Sequence, residues 1–229
     1  ENAGSNGAIT GDGNTVVGKI AGYALTSGHS NTLIGRHAAS ALTTGARNVA
    51  LGMGANDSAA DGENDNIAIG YNAMAAANLA GGEFNVAVGN FALDALTSGD
   101  FNTALVGQEA GLSHTTGANN IAMGKQALKV TTTGSNNVCI GGGAGQLGNM
   151  TTGNNVLIGQ VAGQDMANGA YNVAIGVESM QQMQGDRYNV AIGYKALNVA
   201  NTGTSINDVG NVAVGAQAGL RVTTGAGST

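Results

Sequence analysis

Near-copies of the five residues Asn172-Val173-Ala174-Ile175-Gly176 recur along the whole chain, anchored at Asn14, Asn31, Asn48, Asn66, Asn85, Asn102, Asn120, Asn137, Asn155, Asn172, Asn189 and Asn211. Successive anchors lie 17, 17, 18, 19, 17, 18, 17, 18, 17, 17 and 22 residues apart. A fixed period of this size means a repeat architecture in which each unit buries its apolar surface against the next. Seventeen residues are too few for a strand, a crossover helix and a return strand, which need about 30 or more. The period therefore predicts an all-β chain, a β-solenoid or β-roll of about twelve 17-residue coils, with residues 1–229 as one repeat domain. Stacked at the sheet spacing of about 4.8 Å, twelve coils make a rod on the order of 55 Å long.

Within each copy the residues one and three after the Asn are mostly β-branched or Leu, as in Val173/Ile175, Val190/Ile192 and Ile67/Ile69. That is the period-two signature of a short strand. The residue between them is apolar too: Val16, Leu33, Ala50, Ala68, Ala87, Ala104, Ala122, Cys139, Leu157, Ala174, Ala191 and Ala213. A small residue, usually Ala, follows seven positions past the Asn, and Leu or Met precedes a Thr/Ser-Gly corner such as Leu42-Thr43-Thr44-Gly45. Each coil is expected to run strand, corner, second short strand, corner, with the corner Gly in a left-handed turn. With the flanking pair turned inward, the middle residues form an outward apolar stripe larger than soluble monomers usually expose. Packing of three rods around a common axis is the expected cover. One Asn per coil at an equivalent position predicts a ladder of side-chain amides along the rod.

Composition supports a sheet. The chain has 40 Gly and no Pro, and Pro is kept out of hydrogen-bonded ladders because it lacks a backbone N–H. The charge of −6 and eight scattered cations, with no basic cluster, argue against nucleic-acid binding. No apolar run reaches the roughly 18 residues of a membrane span, so no membrane insertion is expected. The opening Glu1–Gly7 has no signal-peptide pattern. The chain starts part-way through a repeat and stops at Gly225–Thr229 without a polar cap, which predicts a piece of a longer polypeptide.

The repeated Asn-(Thr/Val)-Ala-Ile-Gly-x-x-Ala with its Leu-Thr-Thr-Gly corner resembles repeats of bacteriophage tail-fibre proteins. More distantly it is similar to the Asn-x-Val-Ala-Ile-Gly repeats in the head of trimeric autotransporter adhesins. The likeness covers about Ile9 to Gly225. It implies a homotrimeric fibre of β-rolls, in a virion or on a cell surface, with surface attachment as its role and no enzymatic activity or cofactor in the repeats. A cell-surface glycan or receptor is the partner it implies. The 17-residue period departs from the shorter period of adhesin heads and favours the tail-fibre branch.

Asp61-Gly62-Glu63-Asn64-Asp65 crowds three carboxylates but lacks a calcium-loop pattern, so a solvated corner is expected. His29, His37 and His114 have no metal or triad spacing and are expected at the surface. Gly141–Gly145 lacks the Gly-Lys-Ser/Thr ending of a phosphate loop. Phe84 with Phe101 and Tyr171 with Tyr188 precede the Asn on adjacent coils, where stacking along the rod is favoured over a sugar platform. Cys139 occupies the middle slot, so three copies should approach one another if that slot faces a threefold axis. Insertions at Thr204–Val209 and Ala75–Glu83 are the expected places for variable ligand contacts. No catalytic, cofactor or metal residue is assigned. The alternative function is a monomeric ice-binding β-solenoid that uses its repeated Thr corners.

Overall fold

A computed structural model describes residues 9–58, 62–76, 82–102, 105–183, 185, 187–198 and 210–220. Twelve short strands, from β1 (Thr15–Val17) through β9 (Val156–Ile158), β10 (Val173–Ile175) and β11 (Val190–Ile192) to β12 (Val212–Val214), lie side by side in chain order in one parallel sheet. Among the described residues there is no helix, and each copy of the repeat adds one coil of a β-solenoid. Pairing is in register from copy to copy: Ala174 is opposite Leu157 on one side and Ala191 on the other. In the lengthened sixth copy the extra residue falls before the strand. Leu105, not Ala104, therefore pairs with Ala87 and Ala122, and Ala104 itself is outside the described residues.

The inward and outward faces of the strand are the reverse of the sequence expectation. Leu33, Ala50, Ala87, Ala122, Cys139, Leu157, Ala174 and Ala191 are fully buried inside their own coils, whereas Val17, Ile34, Ile175 and Ile192 face outward. The reason is the narrowness of the coil. Its interior holds the middle strand residue, the small residue seven past the Asn (Ala21, Ala38, Ala55 and their equivalents), the residue eight past it, and the corner Leu or Met. Residue size is traded within that space. In five coils a middle Ala goes with a large eighth residue: Ala68 with Met74, Ala87 with Leu93, Ala122 with Leu128, Ala174 with Met180, Ala191 with Leu197; Ala50 with Asn56 and Ala213 with Gly219 depart from this. Where the middle residue is Leu157, the eighth is Gly163, and a Cβ there would lie 2.8 Å from Leu157 Cδ1. A second Val or Ile from the strand would have no room.

The far side of the coil is not a second strand. It is two turns in succession: in the second coil Ala38 N–H donates to Gly35 O at 3.3 Å and Leu42 N–H to Ala39 O at 3.2 Å. Left-handed residues six and eight past the Asn, such as His37 (φ 60) and Ala39 (φ 47), prevent an extended run. Their N–H groups bond to neighbouring coils instead, His37 to Lys19 O at 3.0 Å and Ala39 to Ala55 O at 2.8 Å. These bonds offset a steric cost of roughly 1–2 kcal/mol per left-handed non-glycine residue.

Glycine has two separate duties. The Gly that ends the strand has a φ of 142° at Gly35 and 133° at Gly176, a region other residues rarely enter. The corner Gly, expected to be left-handed, is not. At Gly45 a Cβ would overlap the carbonyl oxygen of Glu63 in the next coil and come within 2.6 Å of Leu42 Cδ1. It is needed for close approach of the coils.

Candidate functional site

The anchoring Asn side chains form the expected ladder, buried along the length of the sheet. Asn31 Oδ1 accepts from the backbone N–H of Asn48 at 2.9 Å and from its Nδ2 at 3.2 Å. Asn31 Nδ2 in turn donates to Asn14 Oδ1 at 3.1 Å and to the corner carbonyl of Gly45 at 2.9 Å. Both amide hydrogens and the oxygen are thus used, as burial demands. The backbone link from each Asn to the preceding Oδ1 continues without a break to Asn211, which donates to Asn189 Oδ1 at 3.0 Å. This amide column ties strand to corner and coil to coil.

A second amide column was missed in the sequence. Gln146 Nε2 donates to Gln126 Oε1 at 2.7 Å, Gln164 to Gln146 at 3.1 Å, Gln181 to Gln164 at 2.9 Å, and Asn198 Nδ2 to Gln181 Oε1 at 3.2 Å. Its lower end reaches Glu109, which also pairs with Lys129 at 2.7 Å. Bonds from Lys129 and then Gln126 hold the Glu109 carboxyl below its ordinary pKa. The signal was present as Gln at nine residues past Asn137, Asn155 and Asn172.

The outward strand positions build the most extensive surface feature. Outside the lengthened sixth copy, residues one and three past the Asn are Val, Ile, Leu, Met or Thr, and none is charged. Phe84, Phe101, Tyr171 and Tyr188 stand beside this face at one edge, and Met53, Tyr71, Val177 and Tyr194 at the other, all exposed. The Phe84 and Phe101 rings stack at 5.1 Å and 5° between planes, and Tyr171 and Tyr188 at 5.1 Å and 8°. Tyr71 meets Phe91 edge-on at 5.2 Å. The strands alone make an uncharged band roughly 10 Å wide and about 55 Å long, on the order of 550 Å² at normal strand dimensions, and its edges also carry Lys19, Arg36, Arg47, Asp65 and Lys125.

The remaining candidates separate rather than converge. Asp61 lies outside the described residues, Glu63 is buried at a corner, and Asp65 is gripped by Arg47, whose Nε and Nη2 donate to its carboxylate at 2.7 and 2.6 Å. The expectation of a solvated corner fails for Glu63. The Arg47 hydrogen bonds hold Asp65 below the usual carboxylate range, but on a surface this open such a pair adds little stability. His29 is exposed and His37 half-buried, whereas His114 is fully buried, against expectation. It occupies the corner core slot that holds Leu25, Leu42, Leu96, Met150 and Met166 in other coils. Cys139 is also fully buried, and burial pushes its thiol up to about 12. It faces the interior of its own coil, so the condition for three copies to approach one another, a slot turned to a threefold axis, is not met. Gly141–Gly145 continues the coil, with Gly145 making room for Leu157 and Met150.

Among the described residues no group of His, Cys, Asp and Glu could hold a metal ion, and no helix is long and apolar enough to cross a membrane. The insertion Thr204–Val209 is outside the described residues, and so are 77–81 of the second one. Corner hydroxyls donate along the rod to backbone carbonyls, Thr26 to Thr43 O at 3.1 Å and Thr115 to Thr132 O at 3.0 Å. Comparison with protein-family models, with curated proteins and with solved structures returned no match.

Proposed function

We propose that this chain is a structural and adhesive fibre segment, three copies of which pack side by side, in a viral tail fibre or similar extracellular appendage that supports attachment to a host surface. The observation that carries the reading is the uncharged Val/Ile face along the outward side of the sheet. At on the order of 550 Å² it is at the upper end of what a soluble monomer leaves open, and its aromatic edges extend it towards the roughly 800 Å² per partner of a standard stable interface. Its ridges recur at the coil spacing, so the surface that matches them over the full length is another rod of the same pitch. Three parallel copies around one axis bury all three faces and keep equivalent ends together, as a fibre requires. The face invoked here consists of the flanking strand residues, because the middle residues are already enclosed. The repeat likeness to tail fibres points to attachment, through a cell-surface glycan or receptor.

The ice-binding alternative gains no support from the geometry: the outward strand positions carry Val and Ile, and corner hydroxyl protons are given to neighbouring carbonyls. Sedimentation equilibrium at micromolar concentration tests the fibre reading. The expected mass is three times the chain mass of 22.3 kDa; a single-chain mass over the whole concentration range overturns it.

A further inference from the structure

The strand band alone, on the order of 550 Å², falls short of the roughly 800 Å² per partner of a standard interface, so the edges that flank it must supply the remainder. In every coil the residue just before the Asn stands at one edge, and the residue just after the strand-ending Gly at the other. In the coils anchored at Asn172 and Asn189 both edges are exposed and carry large apolar or aromatic side chains: Tyr171 and Tyr188 on one side, Val177 and Tyr194 on the other. Their rings are already ordered. Tyr171 and Tyr188 stack at 5.1 Å along the rod, and Lys195 Nζ, which pairs with Glu178 at 3.4 Å, lies 5.2 Å from the centroid of the Tyr194 ring. Aromatic side chains held in place before contact serve as interface anchors at little entropic cost.

Resting on the three-copy reading given above, we propose that neighbouring copies meet edge to edge at equal height, with Tyr171 and Tyr188 of one copy packed on Val177 and Tyr194 of the next, a clasp that sets the parallel, unstaggered register of the fibre. Closure fixes the height. Around a threefold axis any axial step between neighbours would have to vanish after three repeats, so the step is zero and each edge residue faces the opposite edge of the same coil. The width agrees with this. From one edge residue to the other is at most about 20 Å of chain, and a triangle of that side has its centre about 6 Å from each face. Packed sheets lie roughly 10 Å apart, so about 5 Å of side chain stands on each face, and Val and Ile fill the centre while the edges touch.

The charged edge residues fit the same register. At equal height Arg36 faces Ser30, Arg47 faces Met53, Asp65 faces Tyr71 and Lys125 faces Asn119, and no two like charges meet. A copy displaced by one coil in one direction would set Arg47 against Arg36 and take Tyr188 off Tyr194.

Cross-linking of the full chain tests the clasp. A chain carrying both Tyr188→Cys and Tyr194→Cys, treated with a short bifunctional maleimide, should run as a covalent three-chain species on a denaturing gel, with the single-chain band largely lost. Within one chain the two positions lie on opposite edges of β11, and Cys139 is fully buried, so neither gives that product. Phe84→Cys with Tyr194→Cys, six coils or about 29 Å apart along the rod, should stay single-chain. Sedimentation equilibrium of the same proteins separates the two ways of failing. A three-chain mass without linking at 188 and 194, or with equal linking at 84 and 194, overturns the clasp and leaves the three-copy reading standing; a single-chain mass for the unsubstituted protein overturns both. Should the double tyrosine variant dissociate, Asn119→Cys with Lys125→Cys, the facing pair of the coil anchored at Asn120, decides by the same criteria.

Discussion

Asn56 is the residue most at odds with its surroundings. It stands eight past Asn48, in the core column that holds Met74, Leu93 and Leu128, and its Oδ1 is buried without a hydrogen-bond partner. Asn tolerates the left-handed backbone there, at φ 51, but Leu93 and Leu128 adopt φ 54 and 55 in the same column. Asn56→Leu should therefore raise stability by about 1–3 kcal/mol, the usual cost of an unsatisfied buried polar group, seen as a higher midpoint in urea with an unchanged slope. Cys139 allows a second prediction at this scale. Fully enclosed and with its thiol pushed up to about 12, it should resist a thiol-specific reagent at pH 8 and react only as the chain unfolds; rapid stoichiometric labelling of the native protein would contradict its placement.

At the scale of the coil, size complementarity is the ordering rule, and it can be exchanged between positions. Leu157→Ala should cost about 2–5 kcal/mol through the cavity it leaves. Gly163→Leu alone should also destabilise, because a Cβ there already meets Leu157 Cδ1 and Cδ2 at 2.8 Å. Together they recreate the Ala174/Met180 type of pairing, so the double variant should recover most of the loss, a coupling that a double-mutant cycle in urea denaturation measures directly. This rule also marks how far the sequence could be read. Anchor spacing and strand periodicity locate the Asn ladder residue by residue and every strand except that of the lengthened sixth copy, where Leu105 takes the place expected for Ala104. Periodicity alone gives no direction to a strand that is apolar on both faces, and bulk alone points the larger flanking pair inward. The compensating sizes at the middle and eighth positions, Leu157 with Gly163 and Ala87 with Leu93, held the missing information, since only side chains that share one space need to trade volume. His114 was misplaced for a related reason: its Thr-Thr-Gly neighbours suggest a surface corner, whereas its column position is that of Leu96 and Met166.

For the whole molecule, stability is distributed along one dimension. Each coil is bonded to its neighbours through the strand, both turns and the Asn ladder, so damage at one coil should open the rod locally before it unfolds the remainder. The outward Val/Ile face is the molecule's other organising feature, and its proposed burial between copies depends on the orientation of every strand. The account therefore stands on which side of the strand faces the core, and two neighbouring residues of β9 decide it. Leu157 is fully buried and Ile158 lies on the outward face. The deciding measurement is the thermal denaturation, by circular dichroism, of Leu157→Asp against Ile158→Asp at equal concentration. The account predicts that Leu157→Asp loses its cooperative transition, because an unpaired carboxylate cannot be accommodated in the coil, while Ile158→Asp keeps the β-sheet spectrum and melts cooperatively as a dissociated rod. A folded Leu157→Asp beside an unfolded Ile158→Asp would contradict it.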